Sequence, residues 1–222
     1  MKKIISFGLW GDLPVYNRGA IENVKIAQKI FTDWICRFYV GKNTDISTIH
    51  ELKTYSNVEI IDMNQNGIMK SRIWRFLACS DPDVSVMLSR DTDSRLSLRE
   101  FEAVTMWLNS NKKFHIIRDH PHHGAPILGG LWGCRDGFLK NMDYLLQRWD
   151  EKQLPDQKQY DQTFLRECIY PLIKNDCFIN DEYYSKQNKL STPRDKNGVY
   201  FLGEIFNADN TFFSQEHRNL IR

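Results

Sequence analysis

Two carboxylates one residue apart, in the run Arg90-Asp91-Thr92-Asp93, are the side chains of this sequence best suited to chemistry. Residues two apart in an extended segment point to the same side, so Asp91 and Asp93 can converge on one point while Thr92 faces away. Such a pair fits a hard divalent cation. Mg²⁺ or Mn²⁺ takes oxygen ligands, needs only one or two protein carboxylates, and fills its other positions with substrate phosphate and water. The competing reading is structural: aspartates at strand ends form turns and caps, and Arg90 and Arg95 stand close enough in sequence to pair with them.

A second concentration of reactive groups is Asp119-His120-Pro121-His122-His123, which holds half of the six histidines. As metal chemistry, His and carboxylate ligands with an open position for water would describe a zinc hydrolase. As recognition, His120, His122 and His123 would bind a sugar or an acceptor. Recognition is favoured, because no second, distant ligand cluster accompanies the loop and Asp91/Asp93 suit a harder cation than zinc. Two carboxylates are candidates to accept a proton in catalysis: Asp161, followed by Gln162 at a helix start, and Asp119 beside the histidines. Asp161 reads equally as a helix cap. Gly129-Gly130 permits a close backbone approach to a ligand, or marks a bulge. Arg72 and Arg75, one helical turn apart, either face an anion or form a solvated helix face.

These residues need a frame. Short apolar runs alternate with helical patterns through the first half of the chain, the order of a mostly parallel sheet joined by crossover helices, so the fold class is α/β. Strands are expected at 2–7, 36–40, 58–63 and 83–89, and the last of these delivers the acidic triplet to its carboxyl end, where ligands collect in open α/β sheets. Helices are expected across Ile21, Val24, Ala27, Phe31 and Trp34, and over 71–80 with Ile73, Trp74 and Leu77 inward. Further on, 98–108, 138–149 and 162–173 read as helices, and 114–118 and 129–133 as strands. Beyond Asn175 the pattern weakens; 199–203 could be a last strand, and the polar segment 186–197 a mobile lid.

Composition bounds the rest. At 222 residues the chain suits one compact domain with inserted loops. With 30 Lys and Arg against 28 Asp and Glu, it lacks the positive field of a general nucleic-acid binder. No apolar run reaches the roughly 20 residues that span a bilayer. The apolar start after Met1-Lys2-Lys3 is cut short by Gly11-Asp12 and reads as a strand rather than a signal peptide. Five scattered cysteines, none spaced as CxxC, point to a reducing compartment, hence the cytoplasm.

Several segments together resemble the GT-A class of nucleotide-sugar glycosyltransferases, a Rossmann-like α/β fold. Within that class they are most similar to the small transferase domain of a chlorella-virus multidomain glycosyltransferase and its bacterial relatives. The resembling pieces are Phe7-Gly8-Leu9-Trp10-Gly11 with Tyr16-Asn17-Arg18-Gly19-Ala20, Trp74-Arg75-Phe76-Leu77, and Arg90 to Arg95. Downstream come Arg118 to His123, Gly129-Gly130-Leu131-Trp132-Gly133 and Asp161-Gln162. The resemblance implies Mn²⁺ or Mg²⁺ held directly by Asp93, with Asp91 on the ribose or a metal-bound water. Trp10 and Tyr16 would line the nucleoside pocket, Arg72 and Arg75 would meet the base or diphosphate, and Asp161 would lie beneath the donor sugar. Residues 1–95 would form the nucleotide-binding half and 96–222 the sugar- and acceptor-binding half. The implied partners are a nucleoside-diphosphate sugar, a UDP-sugar first, and a glycan hydroxyl acceptor, with inversion at the transferred carbon. A histidine-loop hydrolase and a non-catalytic glycan-binding module are the alternatives.

Overall fold

The computed structural model describes residues 1–221. The chain runs β1 (Lys2–Leu9), α1 (Pro14–Ile30), β2 (Ile35–Val40), α2 (Ile46–Leu52), β3 (Val58–Asp62), a 3₁₀ helix (Met69–Ser80), β4 (Val84–Ser89) and α3 (Leu98–Leu108). It continues through β5 (Phe114–Arg118), β6 (Trp132–Arg135), α4 (Met142–Asp150), α5 (Tyr160–Phe164), a π-helical turn (Leu165–Ile169), α6 (Tyr170–Ile173), β7 (Cys177–Asp181) and α7 (Gln215–Asn219). The seven strands form one sheet in the order β3-β2-β1-β4-β6-β5-β7. β6 runs antiparallel to β4 and β5, and the other pairings are parallel. This is the mostly parallel α/β sheet expected from the sequence.

Alternation along β1 explains why the sheet is covered on both faces. Ile5, Phe7 and Leu9 join one apolar cluster, with α1 and Trp107 of α3, while Ile4 joins the other, with the 3₁₀ helix and α5. Pro14 opens α1 at the position where a missing N–H is harmless, and Ser97 caps α3 by accepting the Glu100 N–H at 3.2 Å. Because β1 lies between β2 and β4, the direction of travel through the sheet reverses there. A crevice at that reversal is where open α/β sheets take their ligands.

Several expectations are corrected. The segment 71–80 is a 3₁₀ helix rather than an α-helix, so residues three apart eclipse one another. The strand expected over 129–133 starts only at Trp132, and Gly129 and Gly130 form the turn before it. No strand forms over 199–203, where Phe201 and Leu202 are buried within turns. α2, β7 and α7 were not anticipated; α2 nonetheless carries a readable start, since Asp45 accepts the Ser47 N–H at 3.1 Å.

Candidate functional site

A cavity of about 550 Å³ opens at the carboxyl ends of β1 and β4. Trp10, Asp12 and Tyr16 line it from the segment after β1, and Met69, Arg72 and Arg75 from the 3₁₀ helix. The three-residue repeat of that helix is the reason: positions 69, 72 and 75 share one face, while Ile73, Phe76 and Cys79 share another that enters the core. Asp91 and Asp93 after β4, Gly129 and Gly130 before β6, and Asp161 and Gln162 in α5 complete the cavity's polar wall.

The acidic pair reaches the cavity by a turn, not by strand alternation. Past Ser89 the chain bends so that the Ser94 N–H and hydroxyl both donate to the Asp91 carbonyl, at 3.4 and 2.9 Å. α1 fixes that bend. A Cβ on Gly19 would stand 1.9 Å from the Thr92 carbonyl oxygen, so glycine there allows the helix to touch the turn. One helical turn later, the Asn23 amide donates to the Ser94 carbonyl at 2.8 Å and accepts the Leu96 N–H at 2.9 Å. Thr92 is buried, and the two aspartates face the cavity.

Neither flanking arginine neutralises them. Arg90 is paired with Glu100, and Arg95 donates to the backbone carbonyls of Thr92 and Ser94. The buried guanidinium of Arg75 instead bridges Asp91 and Asp161, the second at 2.8 Å. Asp93 has no ion-pair partner among the described residues. Desolvation, with the neighbouring Asp91 charge second, raises its carboxyl from 3.8 to about 6. A carboxylate kept unpaired and partly desolvated beside another is a costly arrangement that a bound cation relieves. Among the described residues no group of three or more His, Cys, Asp or Glu could hold a metal, so a cation here would depend on ligand oxygens and water. The oxygen-only donors fit Mg²⁺ or Mn²⁺.

No protein-family model matches the chain, and no curated protein matches it. Solved structures do. A glycosyltransferase involved in the glycosylation of the major capsid of PBCV-1 superposes with a TM-score of 0.51, at 17% identity over 83% of this chain and 84% of that one. An active-site mutant of LgtC gives 0.54, at 14% identity over 81% of this chain and 73% of that one. The galactosyltransferase LgtC in complex with donor and acceptor sugar analogs gives 0.50, at 15% identity with the same coverage. The fold is that of the GT-A glycosyltransferases.

On this GT-A frame the sequence-derived residues divide. Trp10, Tyr16, Arg72, Arg75, Asp91, Asp93, His123, Gly129, Gly130, Asp161 and Gln162 all line the cavity. Tyr16 lies beside Asp93 and Arg72, and burial first, then the Asp93 charge, raise its phenol above the ordinary 10. The two glycines make room for the carboxylates: a Cβ on Gly130 would stand 2.0 Å from Asp91 Oδ2, and one on Gly129 would stand 2.6 Å from Asp161 Oδ2. Gln162 clamps the same turn by accepting the Gly129 N–H and donating to the Ile127 carbonyl at 3.2 Å.

Asp119, His120 and His122, expected at the site, lie outside the cavity lining. Asp119 is 1% exposed and receives Arg99 at 2.8 and 3.0 Å, Arg194 at 2.8 and 3.1 Å, and the Leu202 N–H at 3.0 Å. A carboxylate held by two arginines and a backbone N–H, outside the cavity lining, organises the fold. His120 spends both ring nitrogens on the protein, one with the His217 carbonyl and one accepting the His122 N–H, and His122 is exposed. His123 alone faces the cavity. Its Nδ1 accepts the Asp119 N–H at 3.1 Å, so Nε2 carries the proton, and burial with the adjacent His120 lowers its pKa to about 3. It can donate a hydrogen bond but cannot serve as a base through that nitrogen.

The lid expected over 186–197 lines no part of the cavity, and it is tied down: Ser191 and Thr192 N–H groups donate to Glu102, each at 2.8 Å, and Arg194 to Asp119. Lys158 and Gln159 line the cavity instead, from a segment joined to the 3₁₀ helix by Arg72 donating to the Lys158 carbonyl at 2.7 Å. Asp12, Met69, Gly203 and Ile205 are further wall residues that sequence reasoning missed. A polar loop and a single Met or Ile give no periodic signal that could have revealed them.

Proposed function

We propose that the chain is a metal-dependent glycosyltransferase that moves a sugar from a nucleoside diphosphate, a UDP-sugar first, to a hydroxyl of a glycan acceptor. The observation that carries this reading is the unpaired Asp93 beside Asp91 in a cavity that also offers two aromatic rings, Trp10 and Tyr16, and the cations Arg72 and Lys158. Mn²⁺ or Mg²⁺ on Asp93, and on Asp91 or its bound water, would neutralise the leaving diphosphate. Trp10 and Tyr16 would hold the nucleoside on the side built by residues 1–95. Gly129, Gly130, Gln162 and the His123 Nε2–H would border the sugar and acceptor, on the side built by residues 96–222.

Arg75 has a positioning role in this scheme, because one guanidinium sets the distance between the cation-binding Asp91 and Asp161. Asp161 remains the carboxylate proposed to take the acceptor proton. Each of its oxygens accepts one hydrogen bond, Oδ1 from the Gln162 N–H at 3.0 Å and Oδ2 from Arg75 at 2.8 Å, which leaves each a lone pair for the acceptor proton. A single displacement would invert the anomeric carbon. The hydrolase reading loses support, because His120 spends both ring nitrogens on protein contacts and of the three histidines only His123 lines the cavity, whereas a non-catalytic module with this fold predicts no nucleotide binding. A thermal-shift screen of nucleotide sugars with and without Mn²⁺ tests the proposal, since a ligand of the native state raises apparent stability by mass action. A Mn²⁺-dependent shift with a UDP-sugar is expected, and no shift with any nucleotide would reject it. Proton NMR of the first product reads the anomer and hence the stereochemistry.

A further inference from the structure

The segment Ile205 to Phe213 is a tight hairpin built onto the turn that carries Asp93. Ser94 bridges Ile205, the Phe206 N–H donates to the Asp93 carbonyl at 2.8 Å, and Arg95 lies 5.3 Å from the Phe206 ring while bonding Asn210 at 3.0 and 3.1 Å. The hairpin closes on itself through the Phe206 and Phe212 bridge, with Phe213 N–H to the Ile205 carbonyl and Asn207 N–H to the Thr211 carbonyl, both 2.8 Å. Its other face is sealed: Phe206 is buried, and Arg218 packs over Phe212 at 3.8 Å.

Residues directly opposite in an antiparallel pair project to the same face, and the face alternates along the strand. Because 206 opposes 212, Ile205 opposes Phe213, and these two share the face away from the sealed side. Ile205 lines the cavity. Phe213 therefore projects from the same side of the hairpin as Ile205, and it is 61% exposed. The Phe213 ring is thus an exposed aromatic surface on a pinned hairpin, one residue pair from a position that lines the cavity.

We propose that Ile205 and Phe213 form the acceptor platform, on which a pyranose lays its axial C–H face against the Phe213 ring so that a hydroxyl enters the cavity. The occupant is a saccharide because the surface adjoins the cavity assigned to sugar transfer, and the proposal rests on that assignment. Anchoring on the Asp93 carbonyl and Ser94 holds the platform at a fixed position relative to the cation-binding turn, as positioning of a second substrate requires.

The test is saturation-transfer NMR on the full chain with diamagnetic Mg²⁺ and UDP, using methyl β-D-galactopyranoside, methyl β-D-glucopyranoside and methyl α-D-mannopyranoside as probes. The wild type should transfer saturation to the axial ring protons of at least one glycoside. Phe213→Ala should abolish it, Phe213→Trp should retain it, and both variants should keep the wild-type thermal shift with UDP and Mn²⁺. With a turned-over acceptor in hand, Phe213→Ala should raise its KM about tenfold with little change in kcat, the size expected of one lost stacking contact. Equal transfer to wild type and Phe213→Ala, or transfer to no glycoside, would overturn the platform even with nucleotide binding intact. Phe213-dependent glycoside binding without any UDP binding would sink the transferase reading and leave the platform standing. A concentration-dependent dimer that Phe213→Ala converts to a monomer, with no saccharide effect, would assign the face to a second copy.

Discussion

At Asp93 the proposed function and the stability of the fold oppose each other. Its carboxyl, raised from 3.8 to about 6, binds a proton more tightly in the folded chain than in the unfolded one. In metal-free protein the ionised group therefore destabilises the fold above about pH 6, and that cost disappears as the pH falls through 6 toward 4. Asp93→Asn should accordingly raise the Tm of metal-free protein at pH 7.5 while abolishing Mn²⁺-dependent nucleotide binding; a lowered Tm with binding retained would contradict both halves. The proposed cation binding would have the opposite pH slope, because the cation would compete with the same proton. Mn²⁺-dependent UDP affinity, measured by calorimetry, should be level near pH 7.5 and weaken by up to about tenfold per unit below pH 6. A flat profile from pH 7.5 to 5 would remove Asp93 from the cation's ligands.

At the scale of elements, the histidine loop and the polar segment after β7 act as one structural joint, with Asp119 at its centre. Removing one partner of a buried ion pair leaves the others uncompensated, at a cost of about 3–5 kcal/mol. Asp119→Ala should therefore lower the Tm steeply and expose the 186–204 region to proteolysis. A variant of unchanged stability with turnover lost would instead restore Asp119 to the catalytic group. The sequence could not disclose this joint, because its partners Arg99, Arg194 and Leu202 are distant in the chain and recognise Asp119 only once folded. By contrast, the position of Asp91 and Asp93 was legible, since an apolar strand ending on carboxylates is a local pattern. The mechanism of their convergence was not, because the bend depends on Gly19 and Asn23 of α1. Likewise the spacing of Arg72 and Arg75 was visible, but only 3₁₀ geometry aims both, with Met69, into the cavity.

The whole molecule is organised around the reversal of strand order between β1 and β4. Alternating strand and helix patterns sufficed for the α/β class and for most elements of the first half. The second half was less legible because its last sheet strand, β7, is short and only partly apolar, and its final hairpin is held by contacts to the Asp93 turn rather than by a sequence period. No described helix is long and apolar enough to cross a membrane. The proposed function rests on one claim: that the two aspartates, bent into the cavity with only Asp91 paired to an arginine, bind a cation that in turn holds a diphosphate. Isothermal titration of UDP into the protein, once with saturating Mn²⁺ and once with EDTA, measures that coupling directly. Binding in Mn²⁺ that is lost in EDTA is the predicted result, whereas equal affinity in both, or no binding in either, would contradict it.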